Sequence, residues 1–161
     1  MSSDILMEYN DVPRTYRGYQ IDWLHPDDME QIIQLESTWF PEPLTISKLT
    51  HLLRQPNTCY IVVRDGKRVI GYIGFQSFLA AAHTISMGVA QGYRRENLAT
   101  LIQKTADAVA KDQGARWFTG EVRVSNRPQL EFLRGLGWLE VGRCNNFFEN
   151  GEDAIVVWNW L

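Results

Sequence analysis

Residues 89–102, VAQGYRRENLATLI, combine an apolar strand end, two arginines and the opening of a helix. Their chemistry is that of phosphate binding. A helix N-terminus leaves backbone N–H groups unpaired and carries about half a positive charge. Those groups hold a phosphate where the chain can approach it closely. Here the N–H groups of Arg95 to Thr100 would face the anion. Arg94 and Arg95 would add charge, and the Thr100 hydroxyl one more hydrogen bond. Glycine is the usual residue at such a turn because it permits positive φ. Asn97 tolerates that conformation next best, and Ala99 is small enough for a ligand to pass over it. Glu96 opposes an anion. The same residues also make an ordinary helix start, and the local chemistry leaves the two readings evenly matched.

The elements that must position this turn follow from periodicity and punctuation. GYQIDWL (18–24) reads as a strand. The helix that follows starts at HPDD, where Pro26 suits the first turn and Asp27, Asp28 and Glu30 complement its positive end. FPEPL (40–44) ends it. TISKLTHLLRQ gives a second helix, with Ile46, Leu49, Leu52 and Leu53 on one face. TCYIVV and RVIGYIGFQSF flank an Asp-Gly pair, a hairpin signal, and HTISMGVA (83–90) is the next strand. The longest helix runs from about Asn97 to Gln113, with Leu98, Leu101, Ile102, Thr105 and Val109 on one face, and Gly114 stops it. ARWFTGEVRV (115–124) is a strand, and SNRPQLEFLRGLG a helix capped by Ser125 or Asn126. Two closing strands surround Asn150-Gly151. The order β-α-α-β-β-β-α-β-α-β-β predicts an α/β fold with a mixed sheet. Residues 1–17 read as a polar N-terminal arm and 18–161 as one domain.

Composition narrows the function classes. The chain has 161 residues, 45% of them hydrophobic, which suits one domain with a full core. The net charge of -3 argues against a general polyanion binder, so neither nucleic acid nor a membrane surface is an expected partner. Cys59 and Cys144 have no metal or redox spacing. No apolar run reaches the ~18 residues of a membrane span, and the N-terminus lacks the pattern of a secretory signal. A soluble, cytoplasmic protein is expected. His25, His51 and His83 lack metal-ligand spacing, so no metal is expected, and isolated histidines are usually surface or core residues.

With these segments in order, the sequence resembles the GNAT acyltransferase superfamily, and within it the branch of ribosomal-protein alanine N-acetyltransferases. RRENLA (94–99) is similar to the acetyl-CoA motif Gln/Arg-x-x-Gly-x-Gly/Ala, with Asn97 in place of a glycine. GEVRVSNRPQLEFLRGLGWLEVGR resembles the superfamily segment in which a strand, an Asn and a short helix lead to a turn, and NNFFENGEDAIVVW and TWFPEPLTISKL resemble segments of that branch. The likeness covers about residues 18–161. It implies a GNAT-type mixed central sheet, splayed at its centre and flanked by helices, with acetyl-CoA in the splay. SMGV (86–89) would border the opening. The backbone at Met87 and Val89 would pair with the pantetheine arm, with Gly88 as a bulge or packing position. Arg94, Arg95, Glu96, Asn97, Leu98, Ala99 and Thr100 would form the pyrophosphate cradle.

The resemblance also implies chemistry. Acetyl transfer needs a deprotonated amine, a polarised carbonyl and a stabilised thiolate. Glu121, in GEVRVSN, stands where the branch has its general base. The other reading makes it an outward strand residue paired with Arg123 or a neighbouring strand. Asn126 is explained by capping, and the family likeness adds a cofactor contact. At the position of the tyrosine acid that many members carry stands Leu133, which cannot donate a proton. Tyr93 and Tyr72 are donors that nothing in the sequence brings to the sulfur. Phe147 and Phe148 suit an acceptor-site wall or ordinary burial, and Trp158 and Trp160 read as core, with a substrate-groove wall as the lesser reading. Arg64 and Lys67 read as solvated hairpin residues.

The expected function is thus an acetyl-CoA-dependent N-acetyltransferase acting on a primary amine, with a protein or peptide N-terminus as first choice of acceptor. Leu133 and Asn97 motivate a second reading, a non-catalytic acyl-CoA-binding module. A small-molecule amine acetyltransferase is the third. The C-terminal VVWNWL, read as an edge strand, could pair two subunits as a homodimer.

Overall fold

The computed structural model describes residues 11–161, apart from the side chain of Arg95. Most of the expected N-terminal arm, residues 1–10, therefore lies outside the described residues. The described elements are β1 (Arg14–Tyr16), β2 (Tyr19–Trp23), α1 (Met29–Trp39), α2 (Ile46–Leu53), β3 (Thr58–Asp65), β4 (Arg68–Phe78), β5 (Ala81–Val89), α3 (Leu98–Asp112), β6 (Trp117–Arg123), α4 (Arg127–Gly135), β7 (Leu139–Cys144) and β8 (Ala154–Trp160). The sequence predicted this order except for β1, a three-residue strand within the expected arm that pairs antiparallel with β2.

All eight strands form one sheet in the order β1-β2-β3-β4-β5-β6-β8-β7. Every neighbouring pair is antiparallel except β5 and β6, which the crossover through α3 makes parallel. Helices cover both faces. On one face Leu98, Leu101, Ile102 and Val109 of α3 pack with Ile61, Ile73, Phe75 and Phe118, joined by Leu133 of α4. On the other, Ile32 of α1 and Leu49 of α2 pack with Tyr60, Val62 and Tyr72.

The punctuation acts as its chemistry requires. Thr45 caps α2, accepting from the Lys48 N–H at 3.2 Å. Asn126 caps α4, accepting from the Gln129 N–H at 3.4 Å. At the end of α3, Gly114 takes φ +98°, and Ala115 N–H donates back to the Ala110 carbonyl at 3.0 Å. The β3–β4 hairpin closes through Gly66, at φ +58°.

Three expectations fail. Arg64 is not a solvated hairpin residue. It is 8% exposed, and its guanidinium donates to Asp28 and Asp22 at 2.5–2.9 Å, fixing β3 to β2 and to the turn before α1. Those bonds, the Asp28 pair foremost, push the Arg64 pKa up. β8 is not an edge: it lies between β6 and β7, so the sheet edges are β1 and β7. Trp158 and Trp160 do not enter the core. Paired with Thr119 and Trp117 across β6, they form an aromatic ladder with Trp117, and Trp160 is 62% exposed.

Candidate active site

The site starts from a failure of pairing. β5 and β6 are in register only at Ala81↔Trp117, Ala82↔Phe118 and His83↔Thr119. Beyond these, β5 continues to Val89 and β6 to Arg123 without meeting, and the sheet is splayed. The cause is visible in β5. Its register against β4 shifts between Gly74↔Ser86 and Phe75↔Thr84, which leaves Ile85 as the extra residue. Such a bulge bends its strand and increases the local twist. Gly88, the other reading for a bulge, is instead a packing position: a Cβ there would sit 3.1 Å from the Tyr72 ring.

The splay exposes backbone. Ala90 N–H donates to Ile70 on β4 at 2.8 Å. Alternation along the strand then turns the N–H groups of Val89 and Met87 away from β4, into the opening. These are the groups expected to pair with a pantetheine arm, and an extended chain lying there would be added as a strand is.

At the C-terminal end of β5 the chain turns through Gly92, at φ +94°, and a short 3-10 turn, Arg94–Glu96, into α3. Asn97 sits in the left-handed region, φ 58° and ψ 23°. This is the conformation for which glycine is usual and asparagine next best. Helix geometry leaves the N–H groups of Leu98, Ala99 and Thr100 without intrahelical partners. The Leu98 side chain is fully buried, so only its backbone could meet a ligand at the helix start. Two charges are diverted. The Glu96 carboxylate accepts from Tyr19 OH at 2.5 Å. The Arg94 guanidinium stacks on Trp39, 3.6 Å from the ring centroid. The Arg95 side chain lies outside the described residues.

At the base of the splay, Glu121 Oε2 lies 2.6 Å from His83 Nε2. The bond raises the His83 pKa above its usual value, against the effect of burial. Arg123 is not the partner of Glu121. It bonds Glu42 at 3.0 Å, Asn150 at 3.0 Å and Glu152 at 3.2 Å, with its guanidinium over the Phe148 ring. It thereby joins the segment after α1 to the β7–β8 connection.

A cavity of about 330 Å³ opens beside Glu121 and Arg123. Glu121, Gly120, Met87, Ser86, Asn126 and Leu133 line its inner end. Phe40, Glu42, Pro43, Leu44, Phe147 and Phe148 line its outer wall. Phe147 and Phe148 meet edge to face, 5.0 Å apart, on that wall. Leu133 is buried and brings no donor. Neither tyrosine named from the sequence replaces it: Tyr72 OH donates to Glu36 and Tyr93 OH to Asp65.

The structure thus brings Met87, Asn126, Leu133 and Glu121 to one cavity, and Arg94 to Thr100 to the adjoining helix start. Sequence reasoning missed His83, Glu36, Glu42 and Arg123. His83 had a signal, its place on the strand beside the expected opening, but the β5–β6 register was needed to set it against Glu121. Among the described residues no helix is long and apolar enough to cross a membrane.

Comparisons with known proteins identify the family and the fold. A family model described as "Acetyltransferase (GNAT) family" matches residues 20–138. A Bacillus subtilis (strain 168) protein, provisionally named a [ribosomal protein bS18]-alanine N-acetyltransferase, is 29% identical over 134 residues, covering 82% of this chain and 89% of its own. The crystal structure of Ard1 from Thermoplasma volcanium superposes with a TM-score of 0.83 at 18% identity, covering 89% of this chain and 98% of its own. Arabidopsis thaliana NAA60 in complex with acetyl-CoA superposes with a TM-score of 0.78 at 14% identity, covering 89% and 98%.

Proposed function

The chain belongs to the acetyltransferase (GNAT) family, and from that premise we propose that it is an acetyl-CoA-dependent N-acetyltransferase for protein or peptide N-termini, with Glu121 as general base. The observation that carries the reading is the Glu121–His83 pair at the base of the splay. It sets a proton acceptor beside an open strand edge and a cavity that reaches the surface.

In this reading acetyl-CoA lies in the splay, with its pyrophosphate on the N–H groups that start α3. Met87 and Val89 bind the pantetheine amides, and Asn126 borders the arm. The acceptor enters past Phe40, Glu42, Phe147 and Phe148. Its ammonium gives a proton to Glu121, with His83 sharing the charge. The freed lone pair attacks the thioester carbonyl carbon while the Val89 N–H stabilises the oxygen that becomes negative. The C–N bond forms, the C–S bond breaks, CoA leaves as thiolate, and the new amide nitrogen gives its second proton to solvent. With leucine at position 133 the thiolate takes its proton from water. A thiol of pKa near 8.5 is a fair leaving group at neutral pH. The named function of the Bacillus subtilis relative, an alanine N-acetyltransferase, points to a terminal amine as the acceptor.

The test has two arms. Calorimetric titration with acetyl-CoA should show micromolar binding that adenosine 3′,5′-bisphosphate reproduces only weakly. Acetyl transfer to a panel of peptides with free N-termini should follow, and Glu121→Gln should lower kcat by about 10²- to 10⁴-fold with acetyl-CoA affinity kept. Tight binding without transfer to any amine would make the chain a non-catalytic acyl-CoA module. Unchanged turnover in Glu121→Gln would remove the assigned base.

A further inference from the structure

Glu36 is a buried carboxylate that the proposed chemistry does not use. It is 2% exposed and lies in the last full turn of α1. Its Oε1 accepts from Tyr72 OH at 2.9 Å and from Ser86 Oγ at 2.6 Å. Its Oε2 accepts from the backbone N–H of Leu44 at 2.8 Å. Its own carbonyl accepts the N–H of Phe40, also at 2.8 Å. One residue thus holds both ends of the segment 40–44.

That segment has little else to fix it. Pro41 and Pro43 have no N–H to donate. The Phe40 and Leu44 donors both end on Glu36, and the Glu42 side chain reaches across the cavity to Arg123. Phe40, Glu42, Pro43 and Leu44 form one wall of the cavity. The other half of the Glu36 carboxylate is fixed to Ser86, the residue before Met87 on the open strand. A carboxylate only 2% exposed is costly to bury unless its oxygens are filled. Here three donors from three elements fill them. Burial and the Glu36 charge hold the Tyr72 phenol well above its usual pKa, so it stays a donor.

We infer that Glu36 is a positioning residue that fixes the acceptor-side wall, residues 40–44, to β5. This rests on the reading of the cavity as an acceptor site. Glu36 sets the gap between that wall and the strand that would hold acetyl-CoA. Glu36 itself lines the cavity, but its oxygens already accept from Tyr72, Ser86 and Leu44, and no step of the proposed chemistry uses it. Its loss frees the wall and leaves the strand, which β4 still pairs.

Three measurements test it. In the native protein the Leu44 amide should exchange with solvent as slowly as core amides, although it lies outside any helix or strand. Glu36→Ala should speed that exchange, raise the acceptor KM by about tenfold or more, and keep the acetyl-CoA dissociation constant within about threefold. Glu36→Gln should restore both, because its amide oxygen can accept from Leu44 while its NH2 donates to the two hydroxyl oxygens. A fast Leu44 amide in the native protein overturns the proposal whether or not Glu36→Ala folds. So does an equal loss of acceptor and acetyl-CoA affinity in Glu36→Ala. A Glu36→Gln variant as impaired as Glu36→Ala would show that the charge, not the clamp, matters, and overturns it too. Absence of acetyl transfer by the native protein would sink the proposed function, while Leu44 exchange would still decide the clamp.

Discussion

His83 Nε2 and Glu121 Oε2 lie 2.6 Å apart at the point where β5 and β6 stop pairing. The last paired residues are His83 and Thr119, and Glu121 is the next residue on the same face of β6. The parallel register that opens the gap between the strands therefore also sets these two side chains together.

The pair predicts a pH profile. The bond to Glu121 raises the His83 pKa above 6.5. Below the raised value the pair holds an extra proton and cannot take one from an amine; above it the pair can. Turnover should rise with pH, with a midpoint above 6.5, and His83→Gln should move that midpoint down and lower the plateau by about tenfold. The stability advantage of the native protein over His83→Gln should be full below pH 6.5 and lost as pH rises through the raised pKa. A rate profile and a thermal-melt series on both proteins decide it; an unmoved midpoint would separate His83 from the chemistry.

Asn97 predicts a graded response in the cradle. Asn97→Gly should keep acetyl-CoA affinity, because glycine adopts φ 58° freely. Asn97→Val should cost about 1–2 kcal/mol of stability and weaken acetyl-CoA binding by about tenfold, since a β-branched residue is strained there. Titration calorimetry reads the binding and denaturant melts the stability. Equal affinities for the two variants would take the turn out of the site.

Arg64→Ala should be the most destabilising change outside the site. It strands Asp22 and Asp28 with their partner gone, side chains 12% and 5% exposed. Breaking a buried pair from one side costs about 3–5 kcal/mol. A urea melt that moves by less than about 1 kcal/mol would mean that water replaces the guanidinium at little cost.

Asp107 predicts the opposite sign. Burial raises its pKa to about 6, with the Gln103 side-chain bond opposing. The native state then holds a proton that the unfolded chain has lost, so stability should fall as pH rises from about 4 to about 6. Asp107→Asn should remove that loss and gain about 1–3 kcal/mol at pH 7, with no gain below pH 4. Melts at both pH values check it.

Much of this protein was legible in its residues. Periodicity and caps placed every helix and all strands but β1. In β1, three residues with mixed burial give no pattern to read. The ordered motifs named the family, and the residue type of Asn97 foretold its left-handed turn. Local signals suffice for such features because they depend on neighbours within a few positions.

The rest depends on distance along the chain. Arg64 looked like a turn residue until β2 placed Asp22 against it, 42 positions away. Trp158 and Trp160 alternate as core residues would, and only the sheet order left their face without a helix. β8 became an inner strand because β7, later in space but earlier in sequence, closed the edge. His83 and Glu121, 38 positions apart, meet because a bulge at Ile85 fixes where the parallel register ends. Sequence periodicity repeats every two or 3.6 residues and carries no record of register between strands. The sequence by itself therefore determined the elements, the family and the left-handed turn at Asn97. The pairing of strands decided which side chains share a site.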